Sequence, residues 1–222
     1  MRARVWFKQV TVILINPNST EAMTQSALDA ARAASPDIRF EGWTSTLGPE
    51  AIEGPEDGAQ AIPPLLDLVR KASLAGAAVI VIACFDDTGL SEAQNIAMCP
   101  VIGIGQASFV FASLMSGPTA VITTVAAAVP VIAENIKMQG HAKNICHVLA
   151  ADVPVLTLAN EPSIALEKFK DTALQLPNDT RNLILGCSAA VLIKQEFQVG
   201  LPFYVIDGVS AAARLSRAFV TK

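Results

Sequence analysis

Short apolar runs rich in Val and Ile alternate with alanine-rich stretches of helical spacing along the chain. VTVILI precedes SALDAARAA, AAVIVIA precedes a turn-rich segment, and PVIGIG precedes SFVFASLM. The alternation resumes with TAVITT before AAAVPVIAENIKMQG, and with VPVL before a helix expected from about Glu161 to Leu176. NLILGC before SAAVLIKQEF and PFYVID before GVSAAARLSRAF complete it. A run that is apolar at every position, rather than at every second one, belongs to a parallel strand covered on both faces. Strand and helix in turn, joined by short connections, predict an α/β fold with mainly parallel sheets.

Laying the strand ends side by side reveals a weak internal repeat. VILINPNST answers VITTVAAAV, VIVIACFDD answers LILGCSAAV, and PVIGIGQASFVFASL answers PFYVIDGVSAAARL. The offsets are all about a hundred residues, which predicts two pseudo-symmetric, doubly wound lobes. Residues 1–105 together with 205–222 are expected to form the first lobe and residues 106–204 the second. Ligands of open parallel sheets bind outside the carboxyl ends of the strands, so the active site is expected in the cleft between the lobes.

Composition narrows the possibilities. Of 222 residues, 52% are hydrophobic and 16% charged, and mean hydropathy is +0.45. The longest apolar run, LAGAAVIVIACF, is nevertheless only about a dozen residues, against the roughly 20 that a spanning helix requires. MRARVWFKQVTVILI has the basic start and apolar middle of a secretory signal, but Lys8 and Gln9 interrupt it and NPNST follows in place of a cleavage site. The expected location is therefore cytoplasmic. The net charge of −4 and the absence of a Lys/Arg cluster argue against nucleic acid and membrane partners. The four cysteines, Cys84, Cys99, Cys146 and Cys187, show neither a C-x-x-C pair nor zinc spacing, so a reducing compartment and no metal site are expected.

A single cysteine at a strand end is most often a small buried hydrophobe, and Cys99 and Cys146 are read that way. Cys84 and Cys187 differ because they hold equivalent places in the two repeats. Each is expected just before a helix whose free N–H groups and dipole lower a thiol pKa from about 8.5 toward neutrality. One ionised and one protonated thiol on opposite walls of a cleft form a general base and a general acid, the arrangement that inverts a carbon centre. No metal, pyridoxal or flavin is needed if an adjacent carbonyl acidifies that carbon. His141 and His147 are expected at a helix end and loop, on the surface. GIGQAS is a weak dinucleotide signal with no acidic ribose partner downstream, and Gly103 and Gly105 are read as permitting close packing or a tight turn.

NPNST with Met23 and Thr24, GPEAIEGPED, ACFDDTGL, VITT, ADVPVL, LGC and VIDGVSAAARL together resemble the hydantoin and allantoin racemase group of the aspartate/glutamate racemase superfamily. The strings run along nearly the whole chain in order. The resemblance implies cofactor-independent racemisation of 5-substituted hydantoins or allantoin by Cys84 and Cys187, on two pseudo-symmetric lobes of a homo-oligomer. Other candidate residues follow from position. Asn16 is expected to meet a ring carbonyl or amide, or else to hold the NPN turn. The N–H groups of Phe85 and Asp86 are expected to bind a developing enolate oxygen, and Asp87 to cap the next helix. Thr123, Thr124 and Ser188 are candidate ring contacts, Gly186 a point of close ligand approach, and Ile52 on GPEAIEG the residue facing the substituent. Departures from the family pattern lie at Thr88, Gln106, Ala126, Ala127 and the Ser188–Val191 stretch; they predict a roomier or more apolar pocket.

Charge separates the alternatives. An amino-acid racemase or a maleate isomerase must hold carboxylates, usually with Arg, and no strand-end motif carries Arg or Lys; an arylmalonate-type decarboxylase needs only one cysteine, and the second thiol argues against it. A small neutral ring is the expected substrate. A non-catalytic small-ligand or redox-sensing protein is the remaining alternative class.

Overall fold

The computed structural model describes residues 11–220, so the reading of residues 1–10 as a leader or a mature start lies outside the described residues. The first half runs β1 (Thr11–Asn16), α1 (Glu21–Ala34), β2 (Arg39–Thr44), α2 (Pro55–Ala75), β3 (Val79–Ile82), α3 (Leu90–Ile96), β4 (Val101–Gly103) and α4 (Ile104–Ser113). The second runs β5 (Thr119–Thr123), α5 (Val129–Met138), β6 (Ile145–Ala150), α6 (Val155–Asn160), α7 (Pro162–Ala173), β7 (Asn182–Gly186), α8 (Lys194–Phe197), β8 (Tyr204–Asp207) and α9 (Gly208–Val220). Two four-stranded sheets result, ordered β2-β1-β3-β4 and β6-β5-β7-β8, with every pairing parallel. The second order is the first with each strand replaced by its counterpart in the repeat. The protein is thus an α/β fold of two pseudo-symmetric lobes.

Of the strands that the pattern marked, β1, β3, β5 and β7 are interior, and β4 and β8 lie at the sheet edges. VIVI of β3, TAVIT of β5 and NLILG of β7 are buried at every residue. The other two edge strands escaped that signal: β2 reads RFEGWT with Arg39 and Glu41 exposed, and β6 reads ICHVLA with Cys146 and His147 exposed. VPVL, expected to be extended, instead leads into α6, and the strand of that unit is β6. Helix α2 contains Pro63 and Pro64, which hid its periodicity because proline normally interrupts a helix interior.

The two halves meet through their last elements. Tyr204–Asp207 is a strand of the second sheet, hydrogen-bonded beside β7 from Asn182 to Leu185. Helix α9 then returns to lie against α1, α4 and β3. The segment 205–222, expected with the first lobe, is thereby divided: its strand belongs to the second sheet and its helix packs on the first half. One apolar cluster, including Leu14, Val81, Phe109, Val121, Ile184, Ile206 and Ala212, is continuous through both sheets. Among the described residues no helix is long and apolar enough to cross a membrane.

Helices α4 and α9, equivalent in the repeat, touch at their first turns. A Cβ on Gly208 would stand 2.5 Å from the Ile104 carbonyl oxygen, well inside van der Waals contact with backbone. Gly208→Ala is expected to lower stability by about 1–3 kcal/mol through overpacking. Gly140→Ala, at φ 81° but with nothing near its Cβ, should cost only about 1 kcal/mol of backbone strain. Denaturant unfolding of the two variants checks the contrast.

Candidate active site

Parallel strands deliver the chain to the same edge of each sheet, and β3 and β7 are counterparts. The residues leaving them, Ala83–Cys84 and Gly186–Cys187, therefore arrive at one place. Both cysteines line a cavity of about 30 Å³, together with Ile52, Phe85, Asp86, Thr123, Thr124, Gly186 and Ser188. Asn16 does not line it. Asn18, Met23 and Val155 do, and none of the three was singled out as a contact although each lies in a quoted motif. Two larger surface grooves, of about 500 and 800 Å³, share Lys194, Asp207 and Arg214 but contain neither thiol.

The first strand end is held by its own side chains. The Asn16 amide nitrogen donates to Asn18 Oδ1 at 2.7 Å and to Thr24 Oγ1 at 3.1 Å, and Asn16 Oδ1 accepts from the Asn18 N–H at 3.2 Å. Its polar atoms are spent on the turn, which leaves Asn18 facing the cavity. The loop 45–54 folds over this turn, with the Ser19 N–H donating to the Pro49 carbonyl and the Thr20 hydroxyl to the Glu50 carbonyl, both at 2.8 Å. Its far end reaches the second lobe, where Glu53 Oε1 accepts from the Val155 N–H at 2.6 Å. Ile52 lies on that bridge, 8% exposed.

The turn after Cys84 departs from expectation. Five residues separate Cys84 from α3, whose N-cap is Gly89. Asp87 does not cap that helix. It adopts φ 48° and turns its carboxylate to α4, accepting from the N–H groups of Gly105 at 3.0 Å and Gln106 at 2.8 Å. Gln139 Nε2 on α5 donates to it at 3.0 Å, and Asn135 Nδ2, also on α5, donates to the Asp86 carbonyl at 2.7 Å. Gly103 and Gly105 make room: a Cβ on Gly103 would lie 2.0 Å from Asp87 Oδ1, and one on Gly105 2.4 Å from the Phe85 carbonyl oxygen.

Both thiols are held in the neutral form, the reverse of the expected lowering. Burial is the largest cause for Cys84, followed by the charge of Asp86; hydrogen bonds from the Thr88 hydroxyl, 3.3 Å from the sulfur, and the Asp86 N–H pull the other way. Burial likewise pushes Cys187 up to about 12, against N–H donors from Ala189 and Ala190, with the charges of Asp86 and Glu53 adding to the rise. A five-residue turn after Cys84 and a single 3₁₀ segment, Ser188–Leu192, after Cys187 supply local donors but no long helix dipole, so desolvation wins.

Three more site residues have structural partners. The Thr123 hydroxyl donates to the Gly186 carbonyl at 2.9 Å, fastening β5 to β7. A Cβ on Gly186 would stand 2.9 Å from Val121 Cγ1, so strand packing also requires glycine at this cavity-lining position. Phe85 is buried edge-on to Phe109, with centroids 5.8 Å apart. His147 lies exposed on β6 and His141 follows α5, both outside the cavity. Among the described residues no cluster of His, Cys, Asp and Glu has the makings of a metal site.

Two parallel lobes of one repeat, with paired thiols at their junction, define the class, and comparison with known proteins agrees. The chain belongs to the Asp/Glu/Hydantoin racemase family, whose model matches residues 12–216. It is an isomerase of the racemase type. The hydantoin racemase of Rhizobium meliloti is 36% identical over 212 residues, spanning 93% of this chain and 87% of that protein. Among solved structures, allantoin racemase from Klebsiella pneumoniae is 32% identical with a TM-score of 0.89, covering 95% of this chain and 87% of that one. Allantoin racemase from Pseudomonas fluorescens is 26% identical, also with a TM-score of 0.89, covering 95% and 91%.

Asp86 gives the site a pH signature. Burial lifts its carboxyl to about 7 from an ordinary value near 3.8. A carboxyl raised in the folded state stabilises the fold most at low pH and loses that contribution as pH climbs from about 4 through about 7. Unfolding free energies of wild type and Asp86→Asn, measured across this window, should therefore diverge with rising pH. The variant should gain on the order of 2–4 kcal/mol relative to wild type between pH 4 and 8. A difference independent of pH would contradict the burial of this charge.

Proposed function

We propose that the protein racemises a neutral five-membered ring, a 5-substituted hydantoin or allantoin, by two-base proton transfer between Cys84 and Cys187. The observation that carries this reading is that the two sulfur-bearing residues, counterparts in the repeat, line one cavity whose sole charged lining residue is Asp86. In the reaction one cysteine enters as thiolate. It takes the proton from the ring carbon beside the carbonyl; the S–H bond forms as the C–H bond breaks, and the electron pair moves into the carbonyl as an enolate. The opposite thiol gives its proton to the other face and is left as the thiolate. The two sulfurs and the ring together carry one negative charge throughout, in addition to that of Asp86, and the reverse reaction exchanges the roles.

Three features support this assignment over the alternatives. The cavity lining contains no Lys, Arg or His, and the negative Asp86 opposes a second carboxylate, which disfavours aspartate, glutamate, malonate and maleate substrates. A thiolate derived from a thiol of raised pKa is a stronger base than an ordinary one, suited to a weakly acidic carbon, while its small ionised fraction makes it a poor redox sensor. The named relatives act on hydantoin or allantoin rings. A volume of about 30 Å³ lies far below the several hundred Å³ usual for a ligand site, so the ring enters as the loop 45–54, bonded across the lobes through Glu53, swings away.

Enantiopure 5-alkylhydantoin incubated in deuterated water, followed by circular dichroism and by deuterium at the ring carbon, tests the scheme. Cys84→Ser and Cys187→Ser should each lower racemisation by about 10²–10⁴-fold. Cys99→Ser and Cys146→Ser, outside the cavity, should leave it unchanged. Racemisation that persists in either of the first two variants would rule out a two-thiol mechanism.

A further inference from the structure

Asp86 is a part-buried carboxylate on the cavity wall, and its environment is unlike that of its neighbour. Asp87 accepts three hydrogen bonds. The main-chain carbonyl of Asp86 accepts from Asn135, but among the described residues no donor or cation pairs with its carboxyl. Burying an unpaired carboxylate is costly, and a charge left without a protein partner in a ligand cavity is matched by donors that the ligand brings. It lines the same cavity as Cys84 and Cys187, and its charge acts on both thiols. Nothing else lining the cavity is an anion, and Asn18, Thr124 and Ser188 offer only neutral groups.

We infer that the Asp86 carboxylate accepts a hydrogen bond from a ring N–H of the substrate and thereby selects neutral cyclic amides that carry a free N–H. This rests on the reading of the protein as a ring racemase and adds the feature of the ring that is read. The assignment fits the rest of the wall. A ring held by its N–H at Asp86 lies beside both sulfurs, while Ile52, Met23 and Val155 face it with apolar surface for the substituent. A ring lacking that N–H leaves the carboxylate buried and unmatched.

Calorimetric binding of a 5-alkylhydantoin and its N1-methyl and N3-methyl derivatives tests this on the full chain, with racemisation followed in parallel. Wild type should bind one of the two methylated rings roughly 10- to 100-fold more weakly than the parent, the worth of a hydrogen bond to a charged group. Asp86→Leu keeps the bulk of the side chain but removes the acceptor. It should weaken the parent by a similar factor and level its advantage over that methylated ring. Asp86→Asn, which retains a carbonyl oxygen, should fall between the two. Parent affinity unchanged in Asp86→Leu, or equal binding of all three rings by wild type, would overturn the role of Asp86 while leaving the racemase reading intact. Wild type that binds and racemises none of the rings would instead overturn the substrate class, and this inference with it.

Discussion

Asp87 accepts three N–H donors while buried, and through them a single carboxylate fixes the turn that carries the first thiol. Two of the donors open α4, and the third belongs to α5 of the second half. The conformation it needs, φ 48°, is one that Asp tolerates better than most residues because its short side chain bonds to nearby backbone. The clamp also dictates sequence far away. Gly103 and Gly105 have no room for a Cβ because the carboxylate and the Phe85 carbonyl occupy that space. What looks like a phosphate-binding glycine pattern is thus the mould of an aspartate.

The same two residues set the electrostatics. Desolvation alone raises both thiols, and Asp86 adds to the rise at each. Local donors oppose it, the Thr88 hydroxyl and Asp86 N–H at one sulfur, the Ala189 and Ala190 N–H groups at the other, yet they recover only part. The balance favours the neutral thiol at both positions. Any donor that met the Asp86 carboxyl would weaken its field at both sulfurs at once, so ligand binding and thiol ionisation are linked through one charge.

Hydrophobic pattern made the interior of the fold legible. β1, β3, β5 and β7 announce themselves because a strand covered on both faces has no polar register, and the hundred-residue offset between their ends exposed the duplication and the pairing of Cys84 with Cys187. Edge strands β2 and β6 carry Arg39, Glu41 and His147 on one face and read as loop. The cavity wall was legible wherever position along a strand decides it, as at Phe85, Asp86, Thr123, Thr124, Gly186 and Ser188. It was illegible where side chains compete for one another. Asn16 and Asn18 share a motif, and only their hydrogen bonds decide that the first holds the turn and the second faces inward. The direction of the thiol shift was hidden for a related reason: a motif names the donors around a sulfur but not the depth at which it is buried.

Duplication by itself would give two lobes free to drift, and a cavity lined from both halves would change shape with every shift. Each half has an apolar cluster of its own, and the chain adds a third that the two share. β8 completes the second sheet, and the helix it launches packs on the first half, so the apolar cluster spanning Leu14, Phe109, Val121, Ile184 and Ala212 cannot be divided without exposing it to water. Gly208 against Ile104 brings the two equivalent helices to backbone contact at the crossing. Above the cavity the loop 45–54 makes a second link between the halves, through the Glu53 carboxylate and the Val155 N–H. A fold that joins its two sheets through one core below the paired cysteines, and bridges them again above, holds both walls of the cavity in one frame.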